Sequence, residues 1–163
     1  MKDTDNPPPL QFTPGDSERA NREWKASCGP HSLAAMWGMS LEQVRPFIKN
    51  FKGWMNPTMI KEALLRMEVS GAIPSDSYRQ KWKLQTQTLC HGINRVQFEG
   101  AWTEPGADPR EAYKHTHYVC RMGCGVYCTM VNYQSWHHID DWRAWMASYA
   151  EPFHITHHWF HRR

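Results

Sequence analysis

The sequence predicts a single α+β domain, with an N-terminal helical half packed on a C-terminal antiparallel sheet. Three observations carry this. Helix formers and helix-start signals cluster between Ser27 and Met67. After Gly71 the apolar residues fall into short alternating runs around Gly123-Cys124-Gly125, a tight-turn sequence. The chain has 163 residues, 40% hydrophobic and 13% aromatic, which suits one core and is too apolar for a disordered segment.

The elements follow in order. Residues 1–20 carry Pro7-Pro8-Pro9 and Pro14-Gly15 among charges, and read as an extended arm ahead of a domain spanning 21–150. Ser32 to Met39 is rich in Leu, Ala and Met and continues a helix that begins at the Cys28 turn. Ser40-Leu41-Glu42-Gln43 has the form of a capping box and opens a second helix, in which Pro46 is awkward. Asn56-Pro57 supplies an N-cap and a proline at the first helical position, and Met59, Ile60, Ala63, Leu64 and Met67 then repeat with helical period. Asn94 to Phe98 reads as a strand, and 99–112 as a loop with Gly100, Pro105, Gly106 and Pro109. His117–Met122 and Val126–Val131 form a hairpin, and Ile139, Trp142, Trp145, Met146 and Tyr149 fit a closing helix. Residues 151–163 read as a His-rich C-terminal tail, whose His154, His157, His158 and His161 would line one face if helical.

Composition narrows the function. The net charge is only +3 and the basic residues are scattered, so no nucleic-acid footprint is expected. No stretch approaches the ~20 apolar residues of a membrane span, and Met1 to Asp5 lacks the apolar core of a secretory signal. Five cysteines, an odd number, point to free thiols in a reducing cytoplasm, with a virion or a signal-independent export route as other settings.

The residue that carries chemistry is Cys28. A nucleophilic cysteine works as a thiolate, and the first turn of a helix favours that charge through unpaired amides and the helix dipole. Cys28-Gly29-Pro30 stands ahead of a helix-forming run, so its own backbone N–H would face a developing oxyanion. A structural cysteine preceding a helix would look the same at this level.

The segment Cys28-Gly29-Pro30-His31-Ser32-Leu33-Ala34-Ala35 resembles the papain-like cysteine peptidase superfamily, and within it the bacteriocin-processing-type peptidases and small bacterial and phage proteins of that kind. The likeness continues through Met39 to Val44, through Gly53-Trp54-Met55-Asn56-Pro57, and at Tyr113-Lys114-His115-Thr116-His117-Tyr118-Val119. It covers roughly residues 20–145. It implies a papain-like fold whose first core helix carries the nucleophile, and a thiol hydrolase acting on a peptide or protein without a cofactor or metal. Cys28 matches the nucleophile and His117 the general base, with His115 as its rival. The family's third member, an Asn or Asp on the next strand, falls on Asn132; an alternative alignment puts Cys128 there, and Asp140 and Asp141 are more distant substitutes. Relatives place a Gln before the cysteine as oxyanion donor; this chain has Arg22 there with Asn21 beside it, and Asn21 is the candidate donor. Because that Gln is missing and the third residue is open, an inactive binding or inhibitory module of the same fold stands beside the peptidase, and a peptidoglycan amide hydrolase would use the same Cys–His chemistry.

A fourth reading is a zinc site. Cys120, Cys124 and Cys128 recur every four residues near His115 and His117. On strands such positions stand ~13 Å apart, so the hairpin argues against three sulfurs on one metal. Trp24, Trp37, Trp54, Trp102 and Trp136 lie near the motifs and suit either core or cleft.

Overall fold

The computed structural model describes residues 7–48, 53, 55–122, 127–129, 136–148 and 152–162. Four helices come first: α1 (Pro14–Trp24), α2 (Cys28–Trp37), α3 (Leu41–Val44), which runs into a 3-10 turn at Arg45–Phe47, and α4 (Pro57–Val69). Strands β1 (Tyr78–Thr86) and β2 (Gly92–Phe98) follow, then a 3-10 turn at Ala101–Thr103 and the short α5 (Pro109–Tyr113). The chain continues with β3 (Thr116–Met122), β4 (Tyr127–Thr129), β5 (Trp136–His138), α6 (Ile139–Ala147) and β6 (Phe153–His161). The strands form one sheet in the order β1-β6-β2-β3-β4-β5, with every neighbouring pair antiparallel. The chain is thus α+β, with N-terminal helices and a C-terminal antiparallel sheet. No helix among the described residues is long and apolar enough to cross a membrane.

Local chemistry explains the helix starts. Ser40 and Gln43 form a reciprocal capping box, and Asn56 caps α4 by accepting from the Met59 amide at 2.9 Å. Pro46 is accommodated in the 3-10 turn at which α3 gives way.

Three readings of the sequence need correction. The extended arm of residues 1–20 holds only as far as Thr13: Pro14 is the first residue of α1, and Thr13 and Asp16 cap it reciprocally. The 99–112 loop contains a 3-10 turn and α5, started by Asp108 and Pro109. The largest correction concerns the His-rich tail of residues 151–163, because 153–161 is β6, the strand between β1 and β2. As a strand it puts His157, Trp159 and His161 on one face and His158 and Phe160 on the other, instead of lining histidines along a helix.

The sheet lies between two apolar layers. On one face Ile93, Tyr118, Cys120, Met122 and Trp159 pack with Leu33, Met36, Val44, Ile60, Leu64 and Met67 of the helices. On the other face Val96, Val119 and Ile155 pack with Ile139, Trp142 and Met146 of α6. Alternation along β3 sorts its side chains between the layers: Tyr118 and Cys120 go to the α2 side, Val119 to the α6 side. At Gly92 (φ +133°) a Cβ would sit 2.1 Å from the Trp159 carbonyl oxygen, so only glycine permits this approach of β2 to β6.

Candidate active site around Cys28

Cys28 is the first residue of α2, and α2 packs along β3. The residue is half-buried at the edge of the larger core. Burial pushes its thiol pKa above the ordinary value; the backbone amides of Tyr118, Gly29 and Cys28 itself, and then the Arg95 charge, act in the opposite direction without overcoming it. Cys28 therefore rests as a thiol among amide donors that would favour a thiolate once formed.

The turn that holds Cys28 is fixed from beneath by His31, which is fully buried. Its Nδ1 lies 2.7 Å from the Ser27 carbonyl oxygen and its Nε2 lies 2.8 Å from Ser17 Oγ. A carbonyl only accepts, so Nδ1–H donates to Ser27 and the Ser17 hydroxyl donates to Nε2. That neutral tautomer agrees with burial lowering the His31 pKa to about 4. Through Ser17 and Ser27, His31 ties α1 to the start of α2.

Gly29 makes the turn's other close contact. A Cβ there would lie 2.6 Å from Met55 Sδ and 3.1 Å from Met55 Cβ. The Met55 backbone would have to shift, because rotation of its side chain cannot move its own Cβ. Gly29→Ala is expected to lower stability by about 1–3 kcal/mol in urea unfolding, the usual cost of overpacking.

The residues expected around Cys28 fall in different places. His117 is the second residue of β3, and the peptide amide that follows it, on Tyr118, is the one facing the Cys28 sulfur. The His117 ring, however, meets the Trp145 ring edge-on, with centroids 5.6 Å apart. Trp145 packs with the α6 layer, so the strand's alternation carries this ring to the face away from Tyr118. Burial lowers the His117 pKa to about 4. His115 precedes β3 and stacks flat on Trp102 with centroids 3.5 Å apart. Asn132 lies outside the described residues, as do Cys124 and the Cys128 side chain. Asn21, near the end of α1, accepts from the Ser27 hydroxyl through Oδ1, which leaves its Nδ2 protons to donate. Arg22 is exposed. Asp140 pairs with Arg143 at 2.8 Å, and Asp140 and Asp141 are both exposed in the first turn of α6.

Among the described residues, no group of three or more His, Cys, Asp or Glu is placed to hold a metal ion. Cys120 is fully buried on the α2 face. Of the tryptophans singled out, Trp24 is a core residue under the Arg45 guanidinium, Trp37 packs on His161, and Trp136 donates to the Pro8 carbonyl at 2.7 Å. Trp54 lies outside the described residues.

The structure adds neighbours that the sequence reading missed. Arg95 in β2 and Tyr118 in β3 are directly opposite in register and share the α2 face. The Arg95 guanidinium stands over the Tyr113 ring at 5.6 Å and donates to Thr156 Oγ1 at 3.0 Å. The available signal was an arginine two positions from core-facing Ile93 in a strand. Comparison with known families, with curated proteins and with solved structures gives no match to this chain in any of the three.

Proposed function

We propose that the chain is a papain-like thiol hydrolase, a peptidase that cleaves an amide bond through a Cys28 acyl-enzyme with His117 as general base. The observation that carries the reading is the Cys28 sulfur at the first residue of α2, facing the amides of Gly29 and Tyr118. In the reaction, the Cys28 proton passes to His117 as sulfur bonds to the carbonyl carbon. The oxyanion faces backbone N–H groups, with Asn21 Nδ2 as a further donor. The C–N bond breaks as His117 returns its proton to the leaving amine; water then attacks the thioester, its proton passes by way of His117 to the departing sulfur, and the acid and the free thiol result. Asn132 is the proposed partner of the second His117 nitrogen.

The raised thiol and lowered imidazole pKa values support a pair that rests neutral, with proton transfer occurring during attack rather than beforehand. One observation favours a second reading, an inactive binding module of the same ancestry: the His117 ring packs edge-on to Trp145, on the α6 side of the sheet. Hydrolysis of a fluorogenic peptide library decides between them. The hydrolase reading expects turnover that falls at least ~10³-fold in both Cys28→Ala and His117→Ala. Binding without turnover by the wild-type chain would favour the module.

A further inference from the structure

We propose that the groove lined by Arg95 is a carboxylate subsite, in which Arg95 pairs with an acidic side chain or the free C-terminus of a bound peptide. The proposal deepens the peptidase reading and rests on it. The groove has a volume of about 670 Å³ and is lined by residues of α4's first turn, β1, β2, α5 and β6. Arg95, which lines it, stands directly opposite Tyr118 in register, the residue whose amide faces the Cys28 sulfur. Met55, packed on Gly29, leads directly into Asn56, Pro57 and Thr58 on its wall.

Arg95 is the unusual feature. It is only 4% exposed, and its guanidinium stays charged at any ordinary pH. Its partners are the Thr156 and Tyr118 hydroxyls and the Tyr113 ring, all formally neutral. Its Nε is buried with no hydrogen-bond partner, and no carboxylate pairs with it among the described residues. A buried cation without a counter-ion is costly, and a bound anion relieves that cost. The described lining has no Asp or Glu, and Lys83 adds a second cation. The space itself comes from two departures from regular pairing: β1 leaves register between Trp82 and Thr86, and β6 bulges opposite Arg95 and Val96. Trp82, 58% exposed on the wall, offers an aromatic surface to a peptide backbone or side chain.

Isothermal titration of the Cys28→Ser protein, in which no bond is cut, tests the subsite. The probes are acetyl-Ala-Glu-Ala-amide against its Gln counterpart, and acetyl-Ala-Ala-Ala with a free against an amidated C-terminus. At least one carboxylate form should bind about tenfold or more tightly than its neutral counterpart, the size expected of a charge-assisted pair. Which pair shows the difference identifies the source of the carboxylate. Arg95→Met should erase the preference and Arg95→Lys should keep part of it. Equal affinity within both pairs, no binding by either carboxylate form, or a preference that survives in folded Arg95→Met overturns the proposal. Carboxylate preference without turnover by the wild-type chain overturns the hydrolase reading alone, and turnover without the preference overturns the subsite alone.

Discussion

Lowering the pH from 6.5 toward 4 is expected to destabilise this protein steeply, starting above the range in which its carboxylates titrate. Burial lowers the pKa of His31, His117, His157 and His158 from the usual 6.5 to about 4; the Arg95 and His158 charges add to this at His157, and Lys81 adds to it at His158. Unfolded, these imidazoles take up protons as pH falls through 6.5; folded, they stay neutral until about 4. Between those values the unfolded state binds more protons, so stability falls with falling pH. Each histidine contributes a slope of up to about 1.4 kcal/mol per pH unit. Against a typical total of about 5–15 kcal/mol, four such groups remove a large share of the stability across the window. Urea melts at pH 7, 6 and 5 should show the midpoint dropping at each step. His31→Gln, which removes one of the four, should flatten the dependence. A midpoint constant down to pH 5 would show that these histidines are not held neutral by the fold.

Trp159→Ala is expected to be the most damaging single truncation in the core. Trp159 is fully buried in the larger apolar layer, in β6, paired with Ile93 on one side and Gln80 on the other. Its ring stacks near His157 at 5.6 Å and meets Tyr118 at 6.1 Å. Removing an indole from such a place costs about 3–5 kcal/mol in lost transfer energy and residual cavity. Its Nε1 is buried without a hydrogen-bond partner, so Trp159→Phe discards an unsatisfied donor along with part of the ring and should cost distinctly less. Thermal melts of the two variants check the order; equal losses would place the indole outside the core.

The contrast between what the sequence revealed and what it hid has physical causes. α3 and α4 were legible because side-chain caps mark their starts, and α2 because its Leu, Ala and Met residues favour a helix. β2 was legible from the partial alternation of Asn94 to Phe98, and β3 from its apolar Tyr118-Val119-Cys120 run. β1 was not, because Tyr78–Thr86 is an edge strand with few apolar positions and Lys81 and Lys83 on its exposed course, a pattern that discourages edge pairing and also conceals the strand. β6 was hidden by its histidines, which look solvated in sequence, although His157 and His158 are partly enclosed and kept neutral in the sheet. α1 was hidden because Pro14-Gly15 looks like a breaker, although Thr13 and Asp16 around it make a helix start. At the site, Cys28 stood out by its place before a helix. Arg95 did not, because its importance depends on β6 and α5 closing over it, and neither was read from the sequence.

Alkylation by iodoacetamide, followed by mass mapping of all five cysteines, tests the assignment of Cys28 as the nucleophile most directly. Cys90 is buried and burial pushes its thiol up to about 12, and Cys120 is fully enclosed, whereas Cys28 is half-buried at the end of its helix. The expected result is first and selective labelling of Cys28, at a rate that climbs as pH rises through the thiol range. Labelling of another cysteine ahead of Cys28, with Cys28 left unmodified, would contradict it.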